Sequence, residues 1–365
     1  MYAFLADTHI GTKLDFKDYL KSLDKFLSLI KKHKEECHTI FVCGDLFDHK
    51  LSVEDSLKAS IFLMNLCMNN CGRNNKQHVP VRFVHGTYSH DYEQYKIFMP
   101  LLEKLPNVDV MYIDETCVGK THNGDKVLYL PQIYGNFDYS PYISESRKYD
   151  IIVGHGPISS STKSPCQSTQ YEIMHSVELL GKISKICVFG HYHGYTDFGN
   201  NVYYAGPWLR WQYGEDEPRV FFFCDDNFKV QTFPNEFALE YKTIEISTPE
   251  QLRDIISTEI TTPHRFRIHM SKEDMETYHS IMNINKKNTN LKYQIISPES
   301  DNNDNGSEQN DVINQNIDVD TQTSNSIDDP IESLISYVSD KYNIDVSKEI
   351  REYSDKLSGE DFEKE

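Results

Sequence analysis

No run of apolar residues in this 365-residue chain approaches the about 20 needed to span a bilayer, so no membrane partner is expected. Met1-Tyr2-Ala3-Phe4 enters a β-prone run directly, and no secretory leader is expected. The eight cysteines include no Cys-x-x-Cys pair, and Cys67 and Cys71 fall one helical turn apart. That scatter argues against a disulfide framework or a zinc cluster and suits reduced thiols in a cytoplasmic location. Large apolar residues are scarce from Pro298 to Pro330, where Asn, Asp, Ser and Gln dominate, so that stretch is expected to be disordered. A basic excess is missing too, the net charge being −19. Its distribution is uneven. Residues 298–365 hold 19 acidic and 5 basic side chains, whereas the remaining 297 residues hold 37 acidic and 32 basic. The body is close to neutral and the acidic tail reads as a solvated spacer, so charge neither supports nor excludes a nucleic-acid partner.

What the chain does have is five short Asp/His-rich patches within its first 193 residues. They are Asp7-Thr8-His9, Gly44-Asp45, Ser89-His90-Asp91, Gly154-His155 and Gly190-His191-Tyr192-His193. Four end or closely follow an apolar run (Ala3–Ala6, Thr39–Cys43, Ile151–Val153, Ile186–Phe189), and the third follows Val79–His85 after a Gly-Thr-Tyr turn. Strands that stop where a polar residue begins predict parallel sheet edges that deliver side chains to one rim. Carboxylates and imidazoles on one rim make a ligand set suited to manganese, iron or zinc rather than magnesium or calcium. Each patch alone has a plainer reading: Gly-Asp after a strand is a common turn, and a lone His155 would be a core histidine. His191 and His193 are harder to dismiss, because alternate residues of an extended segment point to one side. Five patches in register favour a metal site.

Apolar spacing predicts a helix through Tyr19, Leu20, Leu23, Phe26, Leu27 and Ile30, a second through Leu57, Ile61, Leu63, Met64 and Cys67, and a third from Tyr92 to Lys104. Beyond Val108 the texture turns to strands: Val108–Ile113, then Val118–Lys120 paired with Val127–Leu130 across Asn123-Gly124. Val202–Ala205, Val220–Cys224 and Lys229–Phe233 follow. The order predicts an α/β protein, a two-sheet sandwich with helices on its outer faces. Four segments are expected: a sandwich domain over 1–234, a small α+β domain over 235–297, a polar linker over 298–329 and a helical segment over 330–365. The small domain is read as strand Leu239–Ile246, helix Pro249–Ile256, strand Arg265–His269 and helix Lys272–Met282. In the last segment Ile331, Leu334, Ile335 and Val338 recur at helical spacing, and a short helix is expected over Val346–Leu357. An apolar stripe resuming after a polar linker suggests a docking element that folds on a partner.

In order and content the patches resemble the calcineurin-like metallophosphoesterases, whose pattern is D-x-H, GD, GNH(D/E), GH and GHxH. Within them the chain is similar to the nuclease subunits of SbcD type. The residues carrying that closer likeness are Gly44-Asp45-Leu46-Phe47-Asp48, Gly190-His191-Tyr192-His193 and Tyr204-Ala205-Gly206-Pro207-Trp208-Leu209-Arg210. The resemblance implies a two-metal DNA nuclease, with exonuclease and single-strand endonuclease activity, working beside an SbcC-type ATPase of SMC-like build in DNA end processing. Two divalent cations, manganese by preference, and a homodimer are further implications, with the small domain as a cap and the C-terminal helices as the ATPase dock.

Carried across, one metal takes Asp7, His9, His193 and a shared Asp45, and the other takes Asp45, His155 and His191. His90 is expected beside the metals, giving a proton to the departing oxygen. Asp91 is expected to orient His90 or a backbone group, or to cap a helix, and Asp48 to support the ligands from behind or to sit at a helix entry, with contact to DNA as the further alternative. The third patch departs from the pattern: Gly86-Thr87-Tyr88-Ser89-His90-Asp91 lacks the asparagine ligand and carries two extra residues. Ser89, just before the histidine, is the natural substitute, with Thr87 or a bridging water left open as alternatives, and G-T-x-S-H-D resembles viral members, which would place the protein in a host cytoplasm. A nucleotidase or other phosphodiesterase, or a scaffold whose metal site has decayed, are the competing expectations.

Overall fold

The computed structural model describes residues 1–73, 76–91, 93–134, 138, 140–143, 148–160, 172–212 and 214–245. It also describes 248, 250, 251, 253, 254, 335, 336, 339, 347, 348 and 351, and the backbone of 264–269 and 291–296. In chain order the first elements are β1 (Tyr2–Leu5), α1 (Phe16–Lys32), β2 (Thr39–Cys43), α2 (Val53–Cys67), β3 (Val81–Val84), α3 (Tyr88–Asp91) and α4 (Gln94–Leu102). Next come β4 (Val110–Ile113), β5 (Cys117–Lys120), β6 (Lys126–Leu130), β7 (Tyr149–His155), β8 (Ile158–Ser159), β9 (His175–Ser176) and α5 (Val177–Ile183). They are followed by β10 (Ser184–Gly190), β11 (Thr196–Asp197), β12 (Val202–Tyr204), β13 (Val220–Cys224) and β14 (Val230–Pro234). The last are β15 (Glu240–Glu245), β16 (His264–His269) and β17 (Leu291–Ile296).

Two six-stranded sheets form, ordered β14-β13-β1-β2-β3-β4 and β11-β12-β10-β7-β6-β5. Strands β1 to β4 are mutually parallel, as are β6, β7, β10 and β12, and the antiparallel strands lie towards the sheet edges. Period-two alternation explains the layering. Phe4, Phe41, Ile151, Val153, Val188 and Phe222 meet in a core cluster that draws on strands of both sheets. The alternate residues Phe221 and Phe223 instead receive Phe26 of α1, at ring separations of 6.1 and 5.3 Å. On the second sheet, Ile152, Cys187 and Phe189 pack with Val177, Leu180 and Ile183 of α5. The result is the expected α/β/β/α sandwich. Helix starts follow local chemistry: Asp15 accepts from the Lys17 N–H at 2.9 Å, and Ser52 accepts from the Asp55 N–H at 3.1 Å. Asn123-Gly124 does sit in a hairpin turn, though a longer one than two residues, closed by the Thr121 N–H on the Asp125 carbonyl at 2.9 Å. The third expected helix is α4, which runs from Gln94, and a short helix the sequence reading did not hold, α3, precedes it and carries the third patch.

By compactness the chain separates into Met1–Leu209 with Glu217–Glu236 and Ile327–Glu365, and a second unit of Arg210–Asp216 with Phe237–Ser326. The second unit contains a parallel three-stranded sheet, β15-β16-β17. Strand β17 is absent from the sequence expectation, which held two strands. A reciprocal capping box, Thr248 Oγ1 with the Gln251 N–H and Gln251 Oε1 with the Thr248 N–H, both at 3.3 Å, opens the helical turn at Glu250, Gln251, Arg253 and Asp254. The helix expected over 272–282 and the linker over 298–329 lie outside the described residues, as do Ile331, Leu334 and Val338; Ile335 is helical. Among the described residues no helix is long and apolar enough to cross a membrane.

Candidate metal centre

The C-terminal ends of the parallel strands meet at one rim. Asp7 follows β1 and its N–H reaches the Gly44 carbonyl at 3.1 Å, while the His9 N–H reaches the Asp45 carbonyl at 3.1 Å. His155 ends β7 and donates from Nδ1 to the Cys43 carbonyl, at 2.7 Å, across to the other sheet. The His191 N–H, just past β10, donates to Asp7 Oδ1 at 2.7 Å. Asp7, His9, Asp45 and His191 hold φ of 47°, 48°, 48° and 111°, a left-handed region that costs L-residues of order 1–3 kcal/mol each. Strain gathered on four residues of one rim is tolerated because these cross-strand bonds fix the backbone, and such strain clusters at functional sites.

Glycines let the strand ends approach. A Cβ on Gly190 would lie 2.9 Å from His155 Nδ1 and 3.1 Å from Asp7 Oδ1, and nearer still to the Cys43 carbonyl. Gly190→Ala is therefore expected to lower stability by about 1–3 kcal/mol, as overpacking does, and to weaken divalent-ion binding. A melting temperature and ion affinity equal to those of the parent chain would show the approach to be looser than drawn.

Among the described residues, three sets of side chains bring ligand atoms within 4.8 Å of one another: Asp7, His9 and His193; Asp7, Asp45 and His155; and His9, Asp48 and His90. Asp45 lies between the histidines, its Oδ2 3.2 Å from His155 Nε2 and 3.9 Å from His9 Nε2. The His9 and His193 rings meet edge-on at 4.9 Å, and those of His155 and His191 at 5.4 Å. His191 belongs to none of the three sets. Ring orientation is set from outside: His155 Nδ1 is taken by a carbonyl, and His9 Nδ1 faces Asp48 Oδ1 at 3.3 Å, which leaves each Nε2 for the Asp45 side. That arrangement, a backbone carbonyl or carboxylate behind each imidazole, fixes the tautomer a metal ligand needs.

Charge and burial agree with a cation site. Asp7 is fully buried, and its Oδ2 has no hydrogen-bond partner. A buried, unsatisfied carboxylate oxygen is costly, about 1–3 kcal/mol or more, and a divalent cation would satisfy it. Burial pushes the Asp7 carboxyl up, against the pull of His155 and His193. Burial would raise Asp45 too, but His155, His9 and His90 around it outweigh that and hold it below the usual range. Reciprocally, burial would lower His155, and Asp45 and Asp7 raise it instead. The donor set fits two divalent ions.

The third patch is arranged differently from the expectation. Ser89 is exposed, and Thr87, immediately after Gly86, stands where the missing asparagine would. Thr87 Oγ1 lies 3.0 Å from Asp45 Oδ2 and 3.4 Å from His155 Nε2. The two extra residues follow Thr87 and turn Ser89 outward as α3 begins. His90 sits edge-on to His9 at 4.6 Å, its Nδ1 hydrogen-bonded to the Asp48 carbonyl. Asp91 is no helix N-cap and is not bonded to His90. Its fully buried carboxylate accepts from the N–H groups of Gly86 (2.8 Å), Leu46 (3.0 Å), Asp45 (3.1 Å) and Phe47 (3.3 Å), clamping two strand-end loops together. Burial and the nearby Asp45 push its carboxyl up to about 7, against the Gly86 N–H.

Several positioning residues escaped the sequence reading. Tyr192 Oη donates to Glu217 Oε1 at 2.9 Å, bracing the His191–His193 loop. Tyr204 Oη donates to the Gly156 carbonyl at 3.1 Å and accepts from the Ile158 N–H at 2.8 Å, bracing the turn after His155. Tyrosine is common in strands, and nothing local marks these two.

The family model for calcineurin-like phosphoesterases matches residues 2–195. No curated protein matches the chain with significance. One crystal structure is similar at 10% identity over 64% of this chain and 98% of that one, with a TM-score of 0.37, too loose a likeness to carry weight.

Proposed function

Because the chain belongs to the calcineurin-like phosphoesterase family, we propose that its metal-dependent phosphoester hydrolysis is directed at DNA, as a nuclease of SbcD type. The observation that carries the hydrolytic reading is the convergence of Asp7, His9, Asp45, His155 and His193 on one buried rim, with an unsatisfied carboxylate oxygen among them. Asp7, His9 and His193 would hold one cation and His155 the other, with Asp45 shared between them. Bound there, two divalent ions, manganese foremost, supply Lewis acidity and bring a water's pKa near neutrality. The protein's own part is orientation and proton transfer. Asp91 holds the Asp45 loop in place, and Asp48 aligns His9 through its carboxylate and His90 through its carbonyl. With Nδ1 of His90 committed to that carbonyl, Nε2 is the nitrogen from which a departing oxygen would take a proton.

DNA as substrate is supported by the likeness of Gly44-Asp45-Leu46-Phe47-Asp48 and of Tyr204–Arg210 to the SbcD-type pattern. Plasmid nicking and linear-duplex degradation with manganese, run beside bis-p-nitrophenyl phosphate, test it. Activity on the small diester but never on DNA would favour another phosphodiesterase, and silence on both a scaffold.

An SbcC-type ATPase is the partner we propose for the C-terminal segment, with a second copy of the chain as a further partner. Deleting residues 330–365 is expected to leave metal content and activity on short DNA unchanged while abolishing co-purification with the ATPase. A coil of about 30 residues, the length of the polar linker expected from composition, spans roughly 3 nm. Retained co-purification would refute the docking role, and a large drop in melting temperature would show that the segment packs on its own chain.

A further inference from the structure

The five patches follow the parallel strands β1, β2, β3, β7 and β10. Another parallel strand, β6, carries none of them, and it is paired with β7 in a register that sets Leu130 opposite Gly154. Two residues on, Gln132 arrives beside His155 with 6% of its surface exposed. Its N–H donates to the His85 carbonyl at 3.1 Å, tying β6 to the end of β3 in the other sheet. Its side-chain Nε2 donates to Glu172 Oε1 at 2.6 Å. A carboxylate only accepts, so the amide's NH2 must face Glu172 and its oxygen must face inward. There Gln132 Oε1 lies 3.2 Å from Thr87 Oγ1. Asp45 Oδ2 at 3.0 Å and His155 Nε2 at 3.4 Å surround the same hydroxyl. Three atoms able to offer lone pairs thus converge on one hydroxyl, which has a single hydrogen to give. A cation among them would satisfy all three.

Resting on the two-cation reading above, we infer that Gln132 Oε1 supplies the neutral oxygen ligand to the cation held by Asp45 and His155. It takes over from the asparagine that the third patch lacks, and Glu172 is the positioning residue that keeps the amide oxygen turned toward the metal. An amide oxygen is chemically the same donor as the one lost. It comes from a different strand because the parallel pairing of β6 with β7 brings Gln132 to the place the altered third patch leaves short of a ligand. The Thr87 hydroxyl then acts as a hydrogen-bond bridge between Asp45 and Gln132.

The test is manganese titration of the full-length chain by calorimetry, with metal content measured after dialysis. The parent chain is expected to bind two equivalents. Gln132→Leu and the shorter amide Gln132→Asn are each expected to keep the first and lose or severely weaken the second. Glu172→Ala is expected to weaken the second site by about 10–100-fold, the range for partners that orient ligands. Retention of the first equivalent by both Gln132 variants shows that they fold. Two equivalents of unchanged affinity in Gln132→Leu would overturn the inference, whatever Thr87→Val does. A single equivalent in the parent chain would instead overturn the two-cation reading and this inference with it.

Discussion

Asp45→Ala is expected to remove both divalent-ion equivalents and to take turnover below detection. Asp45 Oδ2 stands between His155 Nε2, at 3.2 Å, and His9 Nε2, at 3.9 Å. Two dications about 4 Å apart repel each other by on the order of 16 kcal/mol even at an effective dielectric near 20. No neutral side chain offsets a term of that size. The substitution also removes the acceptor of the Thr87 N–H and hydroxyl, so the third strand end loses its tie to the second. Asp45→Asn, which preserves shape and discards charge, separates these effects: it should keep the fold and still fail to hold two ions. Calorimetric titration that found two intact manganese sites in either variant would refute the bridging role.

His90→Ser is expected to behave in the opposite way, keeping both equivalents of metal while turnover falls by about 10²–10⁴-fold, the usual contribution of a general acid. His90 Nδ1 is engaged by the Asp48 carbonyl, and its ring packs edge-on against His9. The competing outcome is concrete, because His9, Asp48 and His90 bring ligand atoms within 4.8 Å of one another. Loss of one metal equivalent in His90→Ser would make His90 a ligand and end its assignment to the leaving group. Replacing the poor leaving group of a DNA strand with p-nitrophenolate should shrink the defect, since a good leaving group needs no proton.

The layers were legible because burial follows period two in strands and 3.6 in helices. Phe4, Phe41 and Phe222 share the inter-sheet core, while Phe221 and Phe223 face the helical layer and meet Phe26 of α1. The five patches were legible for a related reason: a polar residue immediately after an apolar strand has no place but the rim. The short helix α3 was hidden because Tyr88-Ser89-His90-Asp91 is too short and too polar to show an apolar period, whereas α4 falls within the helix expected over Tyr92–Lys104. Strand β17 was missed because its six residues follow a long stretch without periodicity, and parallel pairing with β16 defines it.

By itself the sequence determined the longer strands and helices of the first domain, the sandwich class, and the run of aspartates and histidines that follow strand ends. These depend on residues a few positions apart, and local alternation of apolar and polar groups is enough to set them. Tertiary structure decided which side chains meet. Thr87 rather than Ser89 reaches Asp45, Asp91 clamps two loops rather than capping a helix, and Gln132 stands against Thr87 from 45 residues away. Such contacts depend on sheet order and on parallel register, which bring together strand ends that are remote in the chain. No local pattern encodes the distance between two strands that neither follow one another nor share a sheet.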